Sequence, residues 1–98
     1  KNVICYDLNG SKVTSAGSSI KSISADIFCD TDGTDTAAAV YDRSGRLLSV
    51  CTKKVDAGSK NIVYDVGYTG TDAAEVKLFI WNFKTLYPIF FEKILFTD

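Results

Sequence analysis

The chain has 98 residues, 46% of them hydrophobic, and its eleven basic and twelve acidic side chains leave a net charge of −1. That length fits one domain, residues 1–98, with a thin core, and the apolar fraction excludes a disordered chain. The near-balance of charge excludes the positive field that would draw a domain to nucleic acid or an anionic membrane, so neither is expected as a partner.

Seven stretches rich in Val, Ile, Tyr, Phe and Thr follow one another at short intervals, and no segment carries a helical period. The first covers residues 3–8 and closes on the turn residues Asn9-Gly10-Ser11, which also match a glycosylation sequon. In the second, residues 19–29, Ile23, Ala25, Ile27 and Cys29 alternate with Ser22, Ser24, Asp26 and Phe28, so the first set should face inward. An acidic loop, residues 30–35, leads into a third run at 37–42, and Arg43-Ser44-Gly45 folds it back into a fourth at 46–54, the clearest hairpin in the sequence. Turns at 56–59 and 69–72 bound a fifth run at 61–68 and a sixth at 74–82. The last run, 88–97, carries the only proline at its first position, where a missing N–H costs least. The spacing is that of an all-β sandwich or barrel, and the expected fold is a two-sheet antiparallel β-sandwich, immunoglobulin- or fibronectin-III-like, of about seven strands.

No apolar run approaches the ~20 residues that cross a bilayer, and the first ten residues lack the charged-then-apolar profile of a signal peptide, so the expected context is a mature segment or a module of something longer. Cys5, Cys29 and Cys51 allow at most one internal disulfide, and none sits in a C-x-x-C spacing. If the first two strands pair antiparallel, Cys5 and Cys29 come nearly opposite each other, as a disulfide requires; reduced, buried thiols are the alternative.

With no histidine in the chain, the usual general base, the Ser-His and Cys-His nucleophile pairs and the commonest metal ligand are missing. No Gly-rich phosphate loop follows a strand, and most acids fall in turns, where Asp is favoured for backbone hydrogen bonding. A non-enzymatic domain is expected. Asp30, Asp32 and Asp35 offer hard oxygen ligands that suit a structural Ca²⁺, although Gly33 and the residues after it do not follow the EF-hand pattern; a solvated turn-rich loop is the other reading.

The sixth run has two apolar sets. Val76, Leu78 and Ile80 face one way, and Lys77, Phe79 and Trp81 the other. The lysine marks the second set as the outer one. By the same logic Ala38 and Val40 point inward and Tyr41 outward, and the two strands neighbour each other in most seven-stranded sandwiches, so Tyr41, Phe79 and Trp81 should share a surface. Flat aromatic faces are what a sugar ring stacks on; packing beneath the apolar turn at 83–87 is the alternative.

The residues Ala39-Val40-Tyr41-Asp42-Arg43-Ser44-Gly45-Arg46-Leu47-Leu48-Ser49-Val50, then Val76-Lys77-Leu78-Phe79-Ile80-Trp81-Asn82 and Leu86-Tyr87-Pro88-Ile89, resemble an immunoglobulin-like accessory module of secreted multimodular proteins from anaerobic Firmicutes such as clostridia and ruminococci. The likeness covers roughly residues 19–97 and rests on turn and strand patterns. It implies a secreted or cell-surface, non-catalytic module beside glycan-degrading or dockerin domains, monomeric and without a cofactor.

The expected ligand is then a plant cell-wall polysaccharide, stacked on Trp81, Tyr41, Phe79 and Tyr87, with Lys77 or Asn82 bonding hydroxyls. An acidic glycan would engage Lys77, Lys84 and Lys93. The rival expectation is a spacer or protein-interaction domain whose aromatics pack against a neighbouring module.

Overall fold

The computed structural model describes residues 3–81 and 89–95, with side chains over residues 3–80. The strands are β1 (Val3–Tyr6), β2 (Ser22–Cys29), β3 (Thr34–Tyr41), β4 (Leu47–Val55), β5 (Gly58–Tyr64), β6 (Glu75–Trp81) and β7 (Ile89–Leu95), and the described residues contain no helix. Two antiparallel sheets form, β1-β2-β5 and β4-β3-β6, and the β7 backbone extends the second by pairing with β6. The expected all-β sandwich is therefore the fold, with six strands described in both backbone and side chain, three in each sheet.

In the constant-type immunoglobulin order the fourth strand lies beside the fifth. Here β4 pairs with β3, because the tight turn at residues 42–46 returns the chain directly along the strand it has just left. Asp42 makes that turn. Its Oδ1 accepts from Ser44 N at 3.0 Å, Ser44 Oγ at 2.8 Å and Arg46 N at 2.8 Å, while Gly45 takes φ 87°. The left-handed conformation suits glycine, which has no Cβ to clash.

Alternation along β2 decides the core. Ile23, Ala25, Ile27 and Cys29 are at most 3% exposed and share one core with Ala38 and Val40 of β3, Val76 and Leu78 of β6, and Tyr64, the neighbour of Ile23 on β5. Val76 and Leu78 are inward as expected, so the register that would have turned them outward is not the one adopted. The core's buried hydroxyls are paired: Thr36 Oγ1 donates to the Lys53 carbonyl at 2.8 Å and contacts the Tyr64 hydroxyl at 2.6 Å.

Several boundaries move for local reasons. β1 ends at Tyr6 because the Asp7 carboxylate turns the chain, accepting from Asn9 N at 2.9 Å and Ser11 N at 3.0 Å. β3 starts at Thr34, three residues earlier than expected, and β5 starts at Gly58 and ends at Tyr64. Tyr68 reaches only an isolated bridge to Ile20.

The proposed opposition of Cys5 and Cys29 is corrected. The β1–β2 register places Cys5 against Ile23, and Cys29 lies six residues further along β2, opposite Gly58 of β5. At roughly 3.3 Å per residue the two are about 20 Å apart along the strand, far beyond the Cα separation a disulfide spans. All three cysteines are free thiols.

Candidate functional site

The outer face of the β4-β3-β6 sheet carries the aromatic residues singled out in the sequence. The β3–β6 ladder pairs Ala37 with Phe79, Ala39 with Lys77 and Tyr41 with Glu75. Since alternate residues share a face, Phe79, Lys77 and Tyr41 lie on the same side of the sheet. Two of the three expected aromatics thus share a face, four residues apart along the ladder. On the other flank of β3, Val50 of β4 sits opposite Ala39 and Thr52 opposite Ala37.

This surface is furnished, not bare. Lys77 Nζ lies 4.8 Å from the Tyr41 ring centroid and 3.8 Å from Glu75 Oε1, so the lysine rests on the ring with its charge partly matched. A contact of this kind contributes about 0.5–1 kcal/mol at a partly exposed site, so a ligand's stacking can displace it. Tyr41 and Phe79 are half-buried, and the alanines between them, Ala37 and Ala39, are only 2% and 1% exposed.

The backbone of Trp81 pairs with Asp35 at the end of β6, and its side chain lies outside the described residues. So do Asn82, Lys84, Tyr87 and the turn at 83–87. Lys93 is placed by backbone pairing alone, opposite Lys77.

The carboxylates offered for Ca²⁺ are not brought together. Among the described residues no three His, Cys, Asp or Glu side chains cluster closely enough to hold an ion. Asp32 Oδ1 accepts from Ala57 N at 2.9 Å, while Gly33 N donates to Asp56 Oδ1 at 3.1 Å, a reciprocal clasp between the β2–β3 loop and the β4–β5 turn. Asp35 pairs with Lys54 at 2.7 Å. These acids fasten loops and an edge strand.

A concavity that sequence reasoning did not reach opens at one end of the sandwich. A cleft of about 470 Å³ is lined by the β3–β4 turn, the loop at 16–17 and the loop at 71–74. Its rims are tied by Gly17 N to the Ala73 carbonyl at 2.9 Å, Ala74 N to the Tyr41 carbonyl at 2.9 Å, and Asp72 N to the Tyr68 hydroxyl at 2.8 Å. Gly70 is required beneath this arrangement, since a Cβ there would lie 2.3 Å from the Tyr68 hydroxyl oxygen. Asp42, at its rim, has its carboxyl held below the usual carboxylate range, chiefly by the Arg46 amide and then by the Ser44 hydroxyl.

On the opposite sheet, the outer face of β2 and β5 carries Ser24, Asp26 and Asn61 in one hydrogen-bonded row, with Asn61 Nδ2 donating to Asp26 Oδ1 at 2.9 Å. Phe28, 62% exposed, stands at the end of that row. A single exposed ring is ordinary on a protein surface.

Comparison of the chain with family models, with curated proteins and with solved structures returns no match. The functional reading therefore stands on the residues and their arrangement.

Proposed function

We propose that this chain is a non-catalytic accessory module that binds plant cell-wall polysaccharide through the outer face of its β4-β3-β6 sheet, as part of a secreted or cell-surface multimodular protein. The observation that carries the reading is the placement of Tyr41, Lys77 and Phe79 on one outer sheet face, with Lys77 over the Tyr41 ring. Two rings supply flat apolar surface for a pyranose, and a lysine between them is placed to donate to a hydroxyl or carboxylate. Trp81, Asn82 and Tyr87 follow in the chain and complete the proposed site. The module is read as a monomer that needs no cofactor. A shallow face with few anchors implies weak binding, since affinity follows well-packed anchors and not area.

The test is affinity electrophoresis and calorimetry of the full chain against a panel of plant polysaccharides, repeated with Tyr41→Ala, Phe79→Ala and Trp81→Ala. Each anchor that stacks on sugar should weaken binding by about tenfold, or 1.4 kcal/mol, with thermal unfolding still cooperative. Binding that all three substitutions leave unchanged would remove this face from consideration.

The rival reading is a spacer or protein-interaction domain, and one observation favours it: the near-complete covering of Ala37 and Ala39 shows a face already well packed. Absence of binding to every glycan in the panel would select it.

A further inference from the structure

The cleft at the hairpin end has features that the sheet face lacks: concavity, fixed rims and a guanidinium pair. Its volume, about 470 Å³, lies within the range of small-molecule sites. One wall is the β3–β4 turn, bearing Arg43, Ser44 and Arg46, and the other is the 71–74 loop, bearing Thr71 and Asp72. Ala16, Gly17, Ala73 and Ala74 form a small-residue lining between them.

The charges on the turn are not equivalent. The Asp42 side chain is 14% exposed, and both its oxygens are engaged: Oδ1 by Ser44 and by the Arg46 amide, and Oδ2 by Arg46 Nε at 3.1 Å. Its charge is committed to the turn. The Arg46 side chain is 71% exposed, and its contact with Asp42 uses the Nε edge. That contact occupies Nε, and with the side chain 71% exposed the guanidinium has further N–H donors for a second carboxylate. Arg43 adds a second positive charge on the same wall. Across the cleft, the Thr71 hydroxyl and the Asp72 carboxylate offer the donor and acceptors that sugar hydroxyls need.

The geometry points to this cleft as a binding site for a uronate-bearing saccharide, its carboxylate paired with Arg46 and its ring hydroxyls with Thr71 and Asp72. The assignment rests on the glycan-binding reading and moves the recognition of charged sugars from the sheet-face lysines to the loop end. A neutral sugar brings no second carboxylate to the Arg46 guanidinium, and a peptide carboxylate brings no hydroxyls for the opposite wall.

The experiment is calorimetry of the full chain with a linear oligogalacturonate and with a neutral oligosaccharide of equal length, at low and high salt, together with amide chemical-shift mapping. The oligogalacturonate should bind, weaken at high salt because partly exposed charges are screened, and lose about tenfold affinity in Arg46→Gln. The shifts should fall at residues 16–17, 42–46 and 71–74 of the unmodified chain, a result that needs no variant to fold. Equal binding of the neutral oligomer, or shifts confined to β3 and β6, overturns the cleft assignment while leaving the sheet-face reading in place. No binding of either oligomer overturns it too, and the polysaccharide panel then decides separately whether the sheet-face reading survives.

Discussion

Thr36 and Tyr64 form a buried hydroxyl pair that joins the two sheets, and its proton arrangement makes an asymmetric prediction. Both residues are 0% exposed. Thr36 has a single hydroxyl proton and gives it to the Lys53 carbonyl, so the 2.6 Å contact is donated by Tyr64. Replacing Tyr64 with Phe removes that donor but leaves the threonine's own bond intact, at a cost of about 0.5–1.5 kcal/mol. Replacing Thr36 with Val leaves the tyrosine hydroxyl buried without its acceptor, a loss of about 1–3 kcal/mol. The double variant removes both partners, so its cost should fall below the sum of the singles by about 1 kcal/mol. Urea denaturation with a common m-value measures all three, and each kcal/mol corresponds to about 4–8 °C in Tm for a domain near this size. If Tyr64→Phe costs as much as Thr36→Val, or the two losses simply add, the assigned direction of the bond is wrong.

Burial pushes the Cys5 thiol up from 9.0 to about 12 and raises Tyr64 as well. Both groups fold in the neutral form, so their contribution is fully present below the unfolded values and is lost as pH rises; urea midpoints should fall from about pH 9 upward, and Cys5→Ala should flatten that slope between pH 9 and about 12. In native thiol labelling followed by peptide mass analysis, half-buried Cys51 should react before Cys5 and Cys29, each 3% exposed; prior labelling of Cys5 would contradict its burial. Gly45→Ala places a Cβ at φ 87° and should cost about 1–2 kcal/mol, read as a shift in the urea midpoint; no shift would mean the turn relaxes.

What the sequence revealed and what it hid divide along local and long-range lines. The inward set of β2 and the opposed faces of β6 follow from a period of two, and the turn at 42–46 follows from Asp and Gly at positions that need a capping carboxylate and a positive φ. These are properties of a few adjacent residues. The Cys5–Cys29 guess failed because the register of two strands is set by partners on both sides, here by β5 holding Cys29 opposite Gly58. The cleft was hidden for the same reason: its walls come from segments near residues 16, 44 and 72, and nothing local states that three loops meet. Its only local sign was Arg43 and Arg46 flanking a turn whose carboxylate is consumed by its own backbone. The burial of Ala37 and Ala39 was equally illegible, since alternation with Ala38 and Val40 places them on the outer face.

The acids decide more here than their small net effect on charge suggests. Asp7 and Asp42 cap turns through the same pattern of amides two and four residues on, and Asp32 and Asp56 clasp two loops that are far apart in sequence. Each fixes a connection that would otherwise lose little by moving, so a domain with a thin core obtains ordered ends from side-chain-to-backbone bonds. That order matters most at the hairpin end. Tyr41, the last residue of β3, belongs to the sheet face, and Asp42, the next residue, begins the wall of the cleft, with the Ala74 amide tied to the carbonyl between them. The two surfaces are therefore contiguous. A polymer seated on both gains the second contact at high effective concentration, so two individually weak sites reinforce each other only for a chain long enough to span them. A spacer domain has no need of such an arrangement, whereas a module that holds a polysaccharide gains from it.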